Sequence, residues 1–422
     1  MHYMLQKRTN RKRLATRWLA DLIPEKGHAR RLTVLTLVQS AGSGLFLTSN
    51  AIFLTRYTGI SPFKVGLGLA MAGIFGFAAT VPLGRLADRT GAQPLLVSGY
   101  AALAVLFVSY CFVETFTAFV VIASLISICE TSASPLRAAL LQALFSGRLV
   151  VRVRAQMRSA FNLGYMLGAA ASGGALAVGS ASAFFVVLVV NSAAQAVCVV
   201  ITVRLKPASV GPHKAKEEQR RHRGALRDKS FLALTAVNGF LELHYTVFTV
   251  GIPLWIVSHT NVPSALNSVL LITGTVLVIV LQVPMSRNVD TLESAAAVVR
   301  RGGFFMAISC ALFAASGMGD GAAVPFMLIA TVLLAIGEVA QSAGSWGISF
   351  GWPPVGHQAE YQGVYGLGRG IREFAGPALM ASLIVPFGWK GWMALGVIFF
   401  ALSFLPAPLV RAGRPARTAE NH

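Results

Sequence analysis

The sequence contains little charge for its length. Only 12% of its 422 residues are Asp, Glu, Lys or Arg, whereas 55% are hydrophobic. Soluble domains contain about 25% charged residues, and a water-soluble protein of this size would need many more Lys, Glu and Asp on its surface. This composition excludes an ordinary soluble protein and predicts an all-α integral membrane protein.

Cysteine is scarce and scattered. Cys111, Cys129, Cys198 and Cys310 lie inside apolar runs and lack the close spacing of a metal site, so each is interpreted as a small core residue. The sequence also lacks a tight group of His, Cys and Asp, and no loop is long enough for a soluble catalytic domain. These absences predict a protein that is not an enzyme, with no catalytic residues, metal or cofactor.

The N-terminal segment 1–31 lacks the pattern of a signal peptide. It is strongly basic and contains no separate short apolar core followed by a small-residue cleavage site. We therefore expect this segment to remain in the cytoplasm.

Long apolar runs are what the sequence has in abundance. Runs of roughly 17 to 25 residues suit a bilayer, and twelve are found, near 32–55, 65–84, 94–113, 117–142, 159–178, 181–203, 231–257, 264–285, 302–319, 322–349, 364–386 and 391–410. They predict a six-helix bundle at 32–203, a cytoplasmic linker at 204–230, a second bundle at 231–410 and a cytoplasmic tail at 411–422.

The positions of the basic residues predict how the chain is oriented in the membrane. Nearly all of the 36 Lys and Arg residues fall on one side of this map, and only Arg56, Lys64 and Lys390 fall on the other. Because Lys and Arg mark cytoplasmic loops, both termini are expected in the cytoplasm. The net charge of +20 therefore reflects membrane topology and does not indicate nucleic-acid binding.

An internal repeat relates the two halves. The sequence VPLGR at 81–85, followed by Asp88, recurs as VPMSR at 283–287, followed by Asp290. Later, Glu130 and Glu338 occupy equivalent places. Ordered matches of this kind indicate two parallel six-helix repeats with a substrate path between them, which implies alternating access.

The sequence GRLADRTG, between the second and third apolar runs, resembles the signature loop of the major facilitator superfamily. The alternative is an ordinary charged turn at the membrane surface. The resemblance implies a gating loop near the cytoplasmic face, in which Gly84, Asp88, Arg89 and Gly91 take part. Arg372 is the expected partner of Asp88.

Three carboxylates lie well inside apolar runs: Glu130, Glu242 and Glu338. An ionised carboxylate there is costly unless it is paired or hydrated, so such residues are functional candidates. The resemblance implies that their helices line one central chamber, where they would carry protons and meet substrate. Polar residues at helical spacing extend the expected cavity wall: Asn238, Tyr245, Gln341, Gln39 and Asn50.

The alternative for each carboxylate is a purely structural role that holds two helices together, with a pair between Glu130 and Arg137 as the clearest case. His244 is the weaker candidate on the seventh helix, because it points away from Glu242 at helical spacing.

The glycines of the fifth run, Gly164, Gly168 and Gly173, resemble those of drug:proton antiporters of the superfamily. This resemblance implies a proton-coupled exporter of a small amphipathic drug or metabolite. The bias towards Ala, Gly, Val and Arg predicts a bacterial plasma membrane, and the protein is expected to be a monomer. Its partners would be protons, cargo and lipid. Alternatives are a proton-coupled importer of a sugar, peptide or organic acid, and a polytopic membrane sensor that transports nothing.

Overall fold

The computed structural model describes residues 24, 26–57, 60–178, 181–205, 224–263, 266–287, 289–319 and 322–420. Within these ranges, the structure describes only the backbone at 47–57, 62–63, 148, 175–178, 181 and 414–420. The predicted linker therefore falls largely outside the described residues, as does most of the basic N-terminal segment.

The described residues fold into long helices. In the first half they are α1 His28–Tyr57, α2 Pro62–Thr90, α3 Ala92–Ser109, α4 Phe116–Leu144, α5 Arg148–Val178 and α6 Ala181–Val203. In the second half they are α7 Lys229–His259, α8 Leu266–Met285, α9 Leu292–Ala315, α10 Ala323–Gly351, α11 at 358–387, α12 Trp389–Phe404 and α13 Pro406–Glu420.

Polar residues in the connections set where several helices begin. The Thr115 hydroxyl accepts a hydrogen bond from the backbone N–H of Ala118 at the start of α4, and the Asp228 carboxylate accepts one from Phe231 at the start of α7. These side chains satisfy N–H groups that have no partner within the helix. At the end of α2, Gly91 has φ 92, which suits glycine and turns the chain into α3.

Two helices of the second half are interrupted. In α7 a turn at residues 242–243 is followed by a π-helical segment, Val247–Gly251, and in α11 the segment Ile371–Ala375 is π-helical. Pro253 and Pro377 follow these segments, and proline cannot donate the i→i−4 hydrogen bond. Wide turns of this kind are frequent at functional sites, and both interruptions place charged residues between the bundles.

The helices form two bundles, each with its own core. One apolar cluster is built from the first half with Ala359 added, and the other from the second half with Val81 and Val151 added. The bundles contact each other where α2 and α4 pack on α11, and where α5 packs on α8 and α10. This arrangement agrees with the two repeats seen in the sequence.

Nine helices of the described residues are long and apolar enough to cross a membrane: α2, α3, α4, α6, α7, α8, α9, α10 and the segment Trp389–Gly413. Their outer faces expose large apolar side chains such as Val105, Val186, Ile272 and Val397. Water would solvate such a surface poorly. The protein is therefore a multi-pass membrane protein, while the count of twelve spans stays a prediction.

Three helix starts predicted from the apolar runs were wrong. Helix α5 begins at Arg148 and not near 159, α9 at Leu292 and not near 302, and α11 at 358 and not near 364. The predicted runs stopped at charged residues, because charge normally marks the end of a membrane span. In α5 and α11 some of these charges face the other bundle, where protein and not lipid surrounds them.

Candidate functional site

The C-terminal end of α2 is joined to the start of α11 through Asp88. One carboxylate oxygen accepts a hydrogen bond from the backbone N–H of Ala359 and the other from that of Glu360, both at 2.8 Å. The first N–H groups of a helix are unsatisfied and carry partial positive charge. Asp88 therefore caps a helix that belongs to the opposite bundle.

Glu360 strengthens the same contact. Its Oε1 lies 2.9 Å from Arg85 Nε of α2 and accepts a hydrogen bond from the backbone N–H of Ala225, just before α7. Its Oε2 lies 3.5 Å from Nδ1 of His357. We call Gly84, Arg85, Asp88, Ala359 and Glu360 the gate contact.

The predicted pairing of Asp88 with Arg372 was wrong. The guanidinium of Arg372 lies beside Glu242 and Glu373, about three turns further along α11 from the residues that Asp88 binds. Backbone N–H groups supply the positive partner of Asp88 instead. Arg89 is exposed to solvent, and Gly91 provides the turn between α2 and α3.

Asp88, His357 and Glu360 each place one possible ligand atom within 4.8 Å of the others, so they could hold a metal ion. The donor set is already engaged, since Asp88 binds two amides and Glu360 binds Arg85 and Ala225. We interpret this group as part of the gate contact.

Asp88→Asn is expected to weaken the gate contact. The substitution removes the negative charge of the carboxylate. The side-chain NH2 group of asparagine then faces one of the two backbone N–H groups, so that two donors oppose each other. Hydrogen bonds to charged groups contribute about 1.5–3 kcal/mol, so the form in which α2 and α11 are joined should lose at least tenfold in population. Maleimide labelling of Gln362→Cys, in a background without the native cysteines, measures the opening. Thr90→Ala, at the exposed end of α2, should label like the parent; slow labelling of Asp88→Asn would contradict this role.

Glu338 is buried at the boundary between the bundles. Its Oε1 lies 3.5 Å from Nη2 of Arg158 on α5 and 3.8 Å from Nε2 of His244 on α7. Nδ1 of His244 lies 2.8 Å from the carbonyl oxygen of Leu241, which turns Nε2 towards Glu338. Sequence reasoning ranked His244 low because it considered only the helix that carries it, whereas the partner carboxylate lies on α10.

Glu242 belongs to a second polar cluster. Its Oε2 lies 3.5 Å from Nη1 of Arg372, and its Oε1 accepts a hydrogen bond from the side-chain amide of Asn238. The amide oxygen of Asn238 accepts hydrogen bonds from Gln341 at 2.8 Å and Ser345 at 2.6 Å. The predicted residues Asn238, Glu242 and Gln341 therefore do lie together.

Tyr245 separates two basic groups. The centroid of its ring lies 4.7 Å from Cζ of Arg372 and 5.7 Å from Cζ of Arg158. An aromatic face attracts a guanidinium group at these distances. Tyr245 thus connects the Glu242 cluster with the Glu338 cluster.

Glu130 is held within the first bundle. It accepts a hydrogen bond from Ser43 at 3.0 Å, Gln39 donates to Ser43, and Arg137 donates to the side-chain oxygen of Gln39 at 2.8 Å. The expected direct pair between Glu130 and Arg137 is replaced by this chain of two polar side chains. The expectation of one chamber shared by three carboxylates is also corrected, since each carboxylate has its own cluster. Asn50 lies outside the residues whose side chains are described.

Sequence reasoning missed the role of several arginines, which it counted as marks of the cytoplasmic side. The structure places them inside α5 and α11, where each contacts a residue of the opposite bundle. Arg154 and Arg158 are one helical turn apart, and this i, i+4 spacing was the available signal. The group consists of Arg154, Arg158 and Arg369.

Two cavities lie between the bundles. The larger, about 360 Å³, is lined mainly by apolar and aromatic side chains of α5, α7 and α8, with Arg158 and Glu338 on its wall. The smaller, about 60 Å³, is more polar and is lined by Arg154, Glu242 and Arg369, among others. Drug-sized ligands occupy pockets of about 300 Å³ or more, so the larger cavity is the candidate cargo site.

A family model described as Major Facilitator Superfamily matches residues 32–243. The chain belongs to the major facilitator superfamily. None of the curated proteins matches the chain in sequence. As a member of this superfamily it has the fold of a membrane transporter, as the helices and cavities suggest.

Solved structures of superfamily proteins are similar in fold. A bacterial homologue of the iron transporter ferroportin, in its outward-facing state, has a TM-score of 0.70 at 13% identity over 90% of this chain and 98% of that chain. The proton:xylose symporter XylE has 0.68 at 12% identity, over 89% and 94%. The human organic anion transporter MFSD10 (TETRAN) has 0.63 at 13% identity, over 90% and 100%.

Proposed function

We propose that this protein is a secondary active transporter that exports a small amphipathic molecule in exchange for protons by alternating access. The observation that carries the proposal is the position of Glu338. It lies between the two bundles, on the wall of the 360 Å³ cavity, and shares its charge with Arg158 and His244. A buried carboxylate beside the cargo site can exchange a proton for cargo.

The gate contact supports alternating access. With both termini in the cytoplasm, as we propose, α2 ends and α11 begins at the cytoplasmic face. The contacts of Gly84 and Asp88 with α11 then close that face, and the conformation is outward-facing. Opening would require these contacts to break, so a carrier must form and lose them in every cycle.

The larger cavity supports an amphipathic cargo. Its walls are largely apolar, with Phe161, Tyr165 and Phe248 among them, while Arg158 and Glu338 supply charge on one side. A pocket of this kind binds an apolar body and orients it through a few polar contacts. We further propose that the protein acts as a monomer in a bacterial plasma membrane.

Substrate-driven proton movement in proteoliposomes tests the proposal. A pH-sensitive dye inside the vesicles reports proton movement when lipophilic cations, antibiotics or aromatic acids are added. Wild type should give a signal with its cargo, and Glu338→Gln should lose it, because glutamine cannot release a proton. Glu114→Gln, in the exposed loop before α4, is the matched control. An unchanged signal in Glu338→Gln would show that Glu338 does not carry the transported proton and has only a structural role.

A pH gradient imposed across the vesicle membrane separates export from import. An exporter that exchanges protons moves cargo in the direction opposite to the proton flow. A symporter moves cargo and protons in the same direction. Co-directional movement would favour the alternative, a proton-coupled importer of a sugar, peptide or organic acid. A protein that binds a compound but moves neither cargo nor protons would fit the alternative of a membrane sensor.

A further inference from the structure

The smaller cavity contains an excess of positive charge. Arg154 of α5 and Arg369 of α11 line it from opposite bundles. Arg154 lies over the ring of Trp346, and Arg369 contacts the hydroxyl of Ser134 at 3.5 Å. Neither guanidinium makes an ion pair with a carboxylate among the residues that the structure describes.

The nearby carboxylates are committed elsewhere. Glu242 lines the same cavity, but its two oxygens face Asn238 and Arg372. Glu373 also pairs with Arg372, and Glu338 pairs with Arg158. Arg137, Arg369 and Arg158 are close enough to repel Arg154, while Glu242 attracts both Arg154 and Arg369.

Two unpaired guanidinium groups inside a membrane protein are costly. A charge removed from water must be paired or bound to an ion to recover its lost hydration. Guanidinium groups are well suited to carboxylate, sulfonate or phosphate oxygens, which they bind through paired N–H groups. With Glu242 already placed against Arg372, Arg154 and Arg369 therefore form a site with an excess of positive charge.

The geometry joins this site to the cargo cavity. Arg154 lies one turn from Arg158 on α5, and Arg158 is on the wall of the larger cavity. Tyr245 of the larger cavity follows Glu242 of the smaller one on α7. The smaller cavity, about 60 Å³, suits a single acidic group, while the larger one has room for an apolar body.

We propose that the cargo is an amphipathic organic anion whose acidic group binds between Arg154 and Arg369, with its apolar part in the larger cavity. This inference rests on the proposed function, because it names the cargo class of that transport site. It places the charged group of the cargo at the arginines and not at the carboxylates.

A matched set of three naphthalene compounds tests the sign of the charge. 1-Naphthaleneacetate is an anion, 1-naphthaleneacetamide is neutral, and 2-(1-naphthyl)ethylamine is a cation at neutral pH. Binding to the purified full-length protein is measured by calorimetry. The acid should bind at least tenfold more tightly than the amide, and the amine should bind most weakly. Preference for the amine, equal binding of all three, or no binding of the acid would overturn the proposal.

Variants of the two arginines test the site. Arg154→Gln and Arg369→Gln should each weaken binding of the acid about ten- to hundredfold, since hydrogen bonds to charged groups contribute about 1.5–3 kcal/mol. Arg369→Lys, which keeps the charge but not the planar group, should lose less. Arg301→Gln, an exposed arginine on α9, is the matched control. Wild-type affinity in both glutamine variants would contradict the site.

Stability without ligand separates this site from a structural pair. Removing one of two unpaired charges relieves repulsion, so the melting temperature of ligand-free Arg154→Gln should equal or exceed that of wild type. A marked decrease would indicate that Arg154 has a structural partner and would overturn the assignment. The same measurement shows that the variants are folded.

Three further results distinguish a cargo anion from an inorganic ion, and the anionic cargo from the proposed transport function. Sulfate that binds with the same dependence on both arginines, and that the acid does not displace, would assign the site to an inorganic ion and overturn the cargo assignment. Transport of the amine with proton movement would preserve the transporter proposal and reject the anionic cargo. Selective binding of the acid without transport would support the site and contradict the proposed function.

Discussion

Gly84→Val is expected to abolish transport, because α2 and α11 could no longer approach each other at the gate contact. A Cβ atom at residue 84 would stand 2.6 Å from the carbonyl oxygen of Ala359 and 3.0 Å from Cα of Glu360. Both are backbone atoms and cannot move aside as a side chain can. Overpacking usually costs about 1–3 kcal/mol and occasionally more, and 3 kcal/mol corresponds to a shift of more than about hundredfold.

The predicted state of Gly84→Val is a carrier held open at the cytoplasmic face. Cargo exchange in proteoliposomes measures the loss of transport, and maleimide labelling of Gln362→Cys from the cytoplasmic side measures the opening. Gly73→Val is the matched control, because Gly73 lies on the same helix and a Cβ there meets nothing within 4 Å. Rapid exchange by Gly84→Val, equal to that of Gly73→Val, would show that the close approach is not required.

The gate loop could be located from the sequence, but its partner could not. The GRLADRTG motif singled out Asp88 as part of a gating loop. Charge complementarity then suggested an arginine, whereas the structure supplies the N–H groups of Ala359 and Glu360. Backbone groups leave no mark in the identity of a residue, so only knowledge of where α11 begins could have revealed this contact.

The arginines show a different limit of sequence reasoning. Arg154 and Arg369 are indistinguishable by type from arginines in cytoplasmic loops. Arg154 precedes the apolar run near 159–178, so its place inside the protein depends on the extension of α5 beyond that run. Hydropathy describes an average over a window and does not distinguish a face directed at lipid from one directed at the other bundle.

The internal repeat predicted the two bundles but not their differences. Residue 84 is glycine in the first repeat and its counterpart is Ser286 in the second, and α8 ends at Met285 while α2 continues to Thr90. The glycine in α2 permits the close approach to α11. The repeated sequence therefore folds into similar helices with different contacts at their ends.

Packing against α1 accounts for two of the three glycines of α5 that resemble those of exporters. A Cβ at Gly168 would overlap the carbonyl oxygen of Ala41 on α1, and one at Gly164 would overlap that of Leu37. Small residues at this spacing let two membrane helices pack backbone against backbone. Gly173, in contrast, has open space around its Cβ position. The pattern thus contains two packing positions and one that is free of contact.

Gly168→Val is therefore expected to destabilise the first bundle severely, whereas Gly173→Val should be tolerated. Both substitutions place the same β-branched residue in α5, so differences in helix propensity cancel. The clash at residue 168 involves backbone of α1 and can be relieved only by separating the helices, at a cost of about 3 kcal/mol or more. The fraction of protein that elutes as a single species after heating in detergent measures the effect. Equal heat resistance of the two variants would mean that α1 and α5 are not held at this distance, and that the glycines of α5 serve some purpose other than close packing.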